Sequence, residues 1–223
     1  MKLIAILSIA ISLAACSSIQ PAKKPFTVDL RSPKVTAGTI EGQFDKFLSI
    51  GGLKKYDISV DYYPKENAVC VQYRVDFCTY YQFWDKANRD AFIIALDKYK
   101  EDYSKRNFGK SSRKTKRNYG TLQGYLIWQM SQYTIRANSH PDIDIGYYFK
   151  DKAPYFTLNQ RRTEYTDEIT KNRRESPEIT IFFTRAQADS LAALFDQQYL
   201  QGLAAADSGN ADTEANDYYF PDE

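Results

Sequence analysis

Residues 69–81 alternate between apolar and polar side chains, and this pattern constrains the fold more than any other stretch. One face would carry Val69, Val71, Tyr73, Val75, Phe77 and Tyr81, and the other Cys70, Gln72, Arg74, Asp76 and Cys78. A period of two is typical of an antiparallel strand with one buried face. Residues 56–63 alternate in the same way, and Pro64 to Asn67 form a turn sequence between the two runs. The stretch therefore predicts a long hairpin.

Helical patterns follow the strands at two places. Asp85 can cap a helix whose apolar face carries Phe92, Ala95, Leu96 and Tyr99. A second hairpin is predicted over residues 143–165 and a short strand over 178–183. A last helix is expected from Arg185 to Gln201, opened by a capping box of Thr184 and Gln187 and ended by Gly202. Phe26 to Leu30 could form a first strand. The predicted class is α+β, with an antiparallel sheet.

The two strand-to-helix junctions resemble each other at a spacing of 99 residues. Trp84-Asp85-Lys86-Ala87 corresponds to Phe183-Thr184-Arg185-Ala186. We therefore hypothesise that the domain, residues 26–203, has two hairpin-rich halves, about 26–108 and 119–203, each ending in an amphipathic helix packed on the sheet. The alternative is that any strand-to-helix junction looks like this.

The first residues of the chain form a leader. Lys2 precedes an apolar run from Leu3 to Ala15, which is shorter than the roughly 20 residues that a membrane span requires. The sequence Leu13-Ala14-Ala15-Cys16 resembles the lipobox of bacterial lipoproteins. That resemblance implies a signal peptide over residues 1–15, a lipid on Cys16 and a lipidated tether over residues 16–25. The alternative is an ordinary secretory signal with Cys16 uninvolved.

Localisation follows from the same resemblance. In lipoproteins of bacteria with two membranes, aspartate after the lipidated cysteine tends to retain the protein at the inner membrane, and this chain has Ser17 there. We therefore expect a cell-envelope protein at the outer membrane, on its periplasmic or surface face. Acyl chains on Cys16 would hold the protein on the membrane without spanning it.

Two other cysteines, Cys70 and Cys78, fall in the same predicted strand. If that strand is straight, their Cα atoms lie about 26 Å apart, because a strand rises by about 3.3 Å per residue. A disulfide needs Cα atoms within about 7 Å. We therefore expect both thiols to be unpaired.

A basic segment lies between the two predicted halves. It contains Lys105, Arg106, Lys110, Arg113, Lys114, Lys116 and Arg117 and no acidic residue. It is either a solvated loop or a site for anions such as lipid headgroups, anionic polymers or an acidic partner protein. Residues 204–223 contrast with it, because they are acidic and lack Lys and Arg. We expect a disordered tail there, with Tyr218 to Pro221 as a candidate docking motif.

No catalytic pattern emerges from the sequence. His140 is the only histidine and sits in a turn, and the chain lacks a glycine-rich phosphate loop and a nucleophile elbow. The sequence thus predicts no cofactor, no metal and no nucleic-acid partner. We expect a non-catalytic binding or assembly module of the envelope. The alternative, favoured by 18 Tyr and 13 Phe, is a glycan- or lipid-binding protein or hydrolase with an aromatic-lined cleft.

Overall fold

The computed structural model describes residues 26–45, 52–75, 78–108, 116–130, 136–150, 152–166 and 171–216. The strands are β1 (Val35–Asp45), β2 (Leu53–Tyr63), β3 (Ala68–Val75), β4 (Cys78–Trp84), β5 (Lys116–Gln123), β6 (Tyr125–Met130), β7 (Arg136–Ser139), β8 (Asp142–Lys150), β9 (Ala153–Gln160), β10 (Glu164–Thr166), β11 (Arg173–Glu175) and β12 (Ile179–Phe183). The helices are α1 (Lys86–Ser104), α2 (Arg185–Leu194) and α3 (Gln197–Asn216). The antiparallel α+β class predicted from sequence is confirmed.

Ten of the strands form one antiparallel sheet in the order β5-β8-β9-β12-β1-β2-β3-β4-β6-β7, and β10 pairs only with β11. Only Gly124 separates β5 from β6, yet β5 pairs with β8 and β6 pairs with β4, near opposite ends of this order. The sheet must therefore curl so that its two ends approach each other. The result is a half-barrel whose ends are joined through the segment β5–Gly124–β6.

The inner face of the sheet packs against the helices. Strand residues such as Ile58, Val71 and Leu158 are fully buried there together with Phe92 of α1 and Leu191 of α2. Trp84 lies at the junction, with its ring 5.8 Å from that of Phe92 and 5.3 Å from that of Phe195. Because both helices insert aromatic and aliphatic side chains into one cluster, the sheet and helices share a single core.

The outer face is covered on one side by the N-terminal segment. Val28 is buried, and Phe26 and Leu30 pack with it against Tyr63, Ala68, Cys70, Phe83, Tyr125 and Ile127. His140 fixes this segment, because its Nε2 lies 2.9 Å from the carbonyl oxygen of Phe26 and its ring stacks on Tyr125. The prediction of a strand at Phe26 to Leu30 is wrong, because the segment pairs with no strand of the described sheet.

Both predicted helix starts are confirmed. The side chain of Asp85 accepts a hydrogen bond from the backbone N–H of Asn88 at 2.8 Å. Thr184 and Gln187 form the predicted capping box, in which each side chain accepts from the other's backbone N–H. Capping satisfies N–H groups that the first helical turn leaves without a partner. The two caps therefore determine the residue at which each strand ends and its helix begins.

The alternating run 69–81 is two strands rather than one. Val75 pairs with Cys78 and Cys70 with Phe83, so the chain reverses between Val75 and Cys78. Because Val75 and Cys78 are paired, the phase of the alternation reverses at the turn. Cys78 therefore lies on the inner face and Tyr81 on the outer face with Cys70, which is the opposite of the predicted assignment. Both hairpins predicted nearby, β2–β3 and β8–β9, are confirmed.

The C-terminal part differs from the sequence prediction in two ways. The last helix is divided at Phe195 and Asp196, where Asp196 Oδ1 accepts from the backbone N–H of Tyr199 at 2.8 Å and so caps α3. Helix α3 then continues through Gly202 to Asn216. The predicted irregular tail from residue 204 is therefore wrong up to Asn216. The alanines of this stretch favour helix and outweigh Gly202 and Gly209. Tyr218 to Pro221 lie outside the described residues.

Among the residues that the structure describes, no helix has the length and apolar character needed to cross a membrane.

Candidate functional site

Aromatic side chains gather on the inner face at the helix-distal end of the sheet. We define this end as the one where β1 and β6 finish and where β2, β4 and β7 begin, away from the helix starts at Trp84 and Phe183. The helix-distal cluster consists of Phe44, Tyr56, Tyr73, Tyr80, Trp128 and Tyr165. Five strands and the β10–β11 hairpin contribute its members, so it forms only when the sheet is complete.

The rings of this cluster are in direct contact. Tyr73 stacks on Tyr80 with centroids 5.3 Å apart and an interplanar angle of 21°, and Phe44 lies 5.2 Å from Tyr73 and 5.4 Å from Tyr56. Trp128 meets Tyr165 edge to face at 4.6 Å. Tyr73, Tyr80 and Trp128 are consecutive register partners across β3, β4 and β6. Cross-strand pairing thus places three aromatic residues side by side in one layer.

A hydrogen-bonded chain of neutral groups lies next to the aromatic layer. Trp84 Nε1 donates to Gln82 Oε1 at 3.0 Å, and Gln82 Nε2 donates to Gln160 Oε1 at 3.2 Å. Gln160 Nε2 in turn donates to the carbonyl oxygen of Pro177 at 3.0 Å. Both glutamines are buried. Because these hydrogen bonds engage both side-chain amides, the chain holds Gln82 and Gln160 in place next to the aromatic layer. The two amides are not free hydrogen-bond donors.

Two buried hydroxyl groups differ from the glutamines. Tyr73 Oη and Ser139 Oγ have no hydrogen-bond partner among the residues that the structure describes, although Tyr73 is 1% and Ser139 5% exposed. Burial raises the pKa of Tyr73, with smaller contributions from Tyr80 and Cys70, so its hydroxyl stays protonated. A buried hydroxyl without a partner costs about 1–3 kcal/mol. The inner face therefore carries Tyr73 Oη and Ser139 Oγ as buried hydroxyls without a partner in the described part of the chain.

The family to which the chain belongs follows from a comparison with known proteins. A family model described as "Uncharacterised Treponema protein" matches residues 24–202. The chain belongs to this family. The matched range starts just before Phe26 and ends inside α3, so it contains every member of the helix-distal cluster. No curated protein and no solved structure was found to match the chain.

The predicted anion-binding residues fall into three groups. Lys105 caps α1 and pairs with Glu101, and Arg106 follows it with a positive φ of 52°. Arg117 Nη1 donates to Asp102 Oδ2 at 2.8 Å. Lys116 opens β5, and Lys110, Arg113 and Lys114 lie outside the described residues.

Asp102 holds the two ends of this basic segment together. Its carboxylate is buried and accepts from Arg117 of β5, from Tyr119 Oη at 2.7 Å and from Asn107 Nδ2 at 3.1 Å. Burial and the bond to Asp102 raise the pKa of Tyr119, so this phenol remains a donor. The guanidinium of Arg117 is therefore held by a buried carboxylate, although the side chain itself is 53% exposed.

The three cysteines have separate positions. Cys16 lies outside the described residues. Cys70 and Cys78 are both free, as predicted, but for a different reason: Cys70 belongs to the outer-face cluster and Cys78 packs against the inner core, so the sheet separates them. Burial raises the pKa of the Cys70 thiol, which makes it unreactive. Among the described residues, no group of three or more His, Cys, Asp and Glu could hold a metal ion.

The sequence predicted the aromatic content but not the helix-distal cluster. Tyr73 and Tyr80 were assigned to one strand, and Trp128 and Tyr165 lie far from them in the chain. The available signal was the inward phase of each strand, which places all of these rings on one face. The register that brings them to one end could not be read from that phase.

Proposed function

We propose that this protein is a lipid-anchored cell-envelope protein whose folded domain is a non-catalytic binding or assembly module at the outer membrane. The observation that carries the proposal is the leader, which ends in Leu13-Ala14-Ala15-Cys16. The position of Phe26 supports it, because the fold begins ten residues after Cys16 by packing Phe26 onto the outer face. A ten-residue tether reaches at most about 35 Å, which keeps the domain close to the membrane surface.

Replacement of the lipidated residue tests the anchor. In the Cys16→Ala variant, expressed with its leader in a bacterium that processes lipoproteins, we expect the protein to leave the membrane fraction. We also expect loss of metabolic labelling with an alkyne fatty acid. Ser17→Ala is the matched control and should remain in the membrane fraction. A Cys16→Ala variant that is exported and still sediments with membranes would contradict the lipid anchor.

We propose the basic segment as a contact for anionic lipid, anionic envelope polymer or an acidic envelope protein. The test replaces Lys110, Arg113 and Lys114, because Arg117 is paired with Asp102 and Lys105 with Glu101 inside the domain. With these three changed to Ser, we expect weaker sedimentation with vesicles that contain anionic lipid. The control replaces Lys54, Lys65 and Arg74, which are exposed elsewhere, with Ser. Equal binding by both triple variants would assign the effect to net charge alone.

We further propose that the domain is built from two equivalent units, β1–β4 with α1 and β5–β9 with β12 and α2. One support is a repeated motif at a spacing of 82 residues, Gly38-Thr39-Ile40-Glu41-Gly42 and Gly120-Thr121-Leu122-Gln123-Gly124. The register of β1 on β2 shifts between Thr36 and Gly38, and that of β5 on β8 shifts between Asn118 and Gly120. The irregularity thus recurs at the same place in both motifs.

Contacts of the two motifs support the same proposal. A Cβ at Gly42 would lie 2.4 Å from Ile58 Cδ1, and a Cβ at Gly124 would lie 2.8 Å from Ile143 Cδ1. The junctions between units also correspond: Gln43 pairs with Phe182 and Tyr125 pairs with Phe83. Under this proposal β5 and β6 together are the counterpart of β1, and β7 and β8 together are the counterpart of β2.

The helix-distal cluster favours a second candidate function, which is binding of a glycan or lipid. Its rings lie on the inner face, where Tyr73 Oη and Ser139 Oγ are buried and have no partner within the described ranges. Ligand sites in proteins combine apolar and aromatic walls with a few polar groups in this way. Hydrolysis would additionally require a pair of acidic groups, and the cluster itself contains none.

A further inference from the structure

We propose that the N-terminal strap, residues 26–33, is a releasable extension of the tether, which detaches from the outer face while the rest of the domain stays folded. Phe26, Val28 and Leu30 make its apolar contact with the domain, and of these three only Val28 is fully buried. The lengthening of a membrane tether by this release rests on the lipid anchor proposed above. The release itself is a property of the folded chain and does not require the anchor.

The strap is separate from the core that holds the fold together. It belongs to no strand of the described sheet, and none of its residues is a member of the inner-face cluster that packs on the helices. Its apolar side chains belong instead to the outer-face cluster with Tyr63, Cys70 and Phe83. Segments with few contacts to the main core open at a lower free energy than the whole domain unfolds. The strap can therefore detach without breaking a strand pair.

Polar contacts hold the two ends of the strap. His140 Nε2 lies 2.9 Å from the carbonyl oxygen of Phe26, and Ser32 Oγ donates to Glu66 Oε1 at 2.8 Å. The other carboxylate oxygen, Glu66 Oε2, is buried and has no hydrogen-bond partner in the described ranges. A buried carboxylate oxygen without a donor is unfavourable. Hydration of Glu66 when Ser32 leaves it therefore offsets part of the cost of release.

Asp61 marks the point at which release stops. Its carboxylate is buried and pairs with Lys34 Nζ, directly before β1 begins at Val35. Release up to Lys34 frees residues 26–33, which add at most about 28 Å of chain. A tether that reaches about 35 Å would then reach about 63 Å. The strap thus sets two distances between the domain and the membrane.

Cys70 reports release from the side of the sheet. It is 1% exposed in the same cluster as Val28. Burial and the charge of Asp61 raise the pKa of its thiol, and the charge of Lys34 at the end of the strap opposes them. The thiol is therefore unreactive while the strap is closed. The full mature chain with Cys16→Ser and Cys78→Ser has Cys70 as its single thiol, and dithionitrobenzoate is the probe.

The rate of labelling distinguishes release from global unfolding. We expect Cys70 to react at least about a hundredfold faster than the global unfolding equilibrium permits. Urea below the unfolding transition should change this rate little, because release exposes little surface.

Two Val→Ala variants separate the strap from the core. Val28→Ala should speed the labelling of Cys70 about tenfold, because it removes buried methyl groups from the strap. Val60→Ala is the matched control, since Val60 is 0% exposed on the inner face and stays buried whether the strap is closed or released. It should lower the urea midpoint and leave the labelling rate unchanged.

Two further variants test the strap directly. His140→Phe keeps a ring beside Tyr125 but loses the contact with the carbonyl of Phe26, and it should speed labelling about fivefold. Val28→Cys combined with Cys70→Ala places the reporter thiol on the strap itself. This chain retains Cys78, whose own reaction is measured in Cys70→Ala, so the second reporter does not depend on Cys78→Ser. It should react with the same weak dependence on urea.

Either of two results would overturn the proposal. In the first, both reporter thiols react only as fast as global unfolding permits. In the second, Val28→Ala and Val60→Ala accelerate the labelling of Cys70 equally, which would show that the strap and the sheet unfold together. These chains carry no lipid, whereas the anchor is tested by fractionation of Cys16→Ala. A failure of strap release is therefore distinguishable from a failure of the anchor.

Discussion

At the scale of single residues, the buried side chain of Arg89 donates hydrogen bonds to three other residues. It is 1% exposed and reaches three elements: Nη1 donates to the carbonyls of Asn67 and Trp84, and Nη2 donates to Asn67 Oδ1 and to Gln197 Oε1 at 2.6 Å. Its Nε lacks a partner in the described residues, and burial lowers its pKa. One guanidinium thus connects the β2–β3 turn, the start of α1 and the start of α3.

Replacing Arg89 with Ala should lower the free energy of unfolding by about 3 kcal/mol, because it opens a cavity and leaves several buried acceptors without donors. Urea unfolding followed by circular dichroism measures the change. Lys86→Ala is the control on the same helix, since Lys86 makes only an exposed pair with Asp90, and it should shift stability by less than about 0.5 kcal/mol. Similar losses in the two variants would show that Arg89 is not a structural centre.

The ionisation of Asp144 makes the stability of the protein depend on pH. Partial burial raises its pKa, but hydrogen bonds from Arg161 and Thr121 and the charge of Arg161 outweigh this, so the pKa of Asp144 lies below its usual value. A depressed folded-state pKa stabilises the protein above the unfolded pKa of about 3.9. That contribution disappears as the pH falls from there through the folded pKa.

The Asp144→Asn variant should therefore lose about 1 kcal/mol at pH 7, and the difference from the unmodified protein should shrink below about pH 4. Urea midpoints at several pH values measure this. Asp142→Asn removes the same charge two residues away, where the carboxylate is 3.8 Å from Arg161 and half exposed. It should show a smaller effect. A constant difference for Asp144→Asn across this pH range would refute the assignment.

At the scale of elements, Gly202 is the position where the sequence predicted that the last helix ends, whereas α3 continues through it to Asn216. Glycine commonly ends helices, but here it lies inside α3 with a negative φ, and a Cβ added to it would meet nothing within 4 Å. Ala is about 1 kcal/mol more favourable than Gly inside a helix. Gly202→Ala should therefore stabilise the protein by up to that amount.

Thermal unfolding measures the effect of Gly202→Ala, and Gly146→Ala provides the opposite case. A Cβ at Gly146 would lie 2.0 Å from the backbone carbonyl oxygen of Arg117, which cannot move without shifting β5 against β8. We expect Gly146→Ala to destabilise by about 3 kcal/mol. A loss of stability on Gly202→Ala would indicate that the helix ends there after all.

At the scale of the whole molecule, the curled sheet makes the two parts of the chain interdependent. Strand β4 depends on β6, and β1 depends on β12, so a cut between residues 108 and 116 leaves each fragment with unpaired strands. The core is shared as well, because the ring of Phe92 lies 5.4 Å from that of Phe156. Neither fragment can bury its aromatic residues alone.

We therefore expect fragments 16–108 and 109–223, with Cys16 replaced by Ser, to lack the near-ultraviolet circular dichroism of the full chain. Mixing them should restore it. The C-terminal fragment with Phe156→Asp is the control and should fail to complement. Cooperative unfolding of either fragment by itself would contradict a single shared core.

The sequence alone determined features that depend on neighbouring residues. Helix starts at Asp85 and Thr184 follow from side chains that cap the next turn, and the β2–β3 and β8–β9 hairpins follow from alternation around short turns. Prediction from the sequence failed where one local pattern is compatible with two structures. Residues 69–81 looked like one strand although the chain reverses between Val75 and Cys78, and Gly202 looked like a helix end.

Only the tertiary structure decided how distant segments meet. Strand β1 carries Gly38 and Gly42, which weaken a strand pattern, but each fits close to a neighbouring side chain, Leu194 or Ile58. The helix-distal cluster depends on β4 pairing with β6 rather than with β5. Periodicity reports which face of a segment is buried, whereas register and strand order arise from long-range packing. For this reason the aromatic content could be read from the sequence, and the site that these residues form could not.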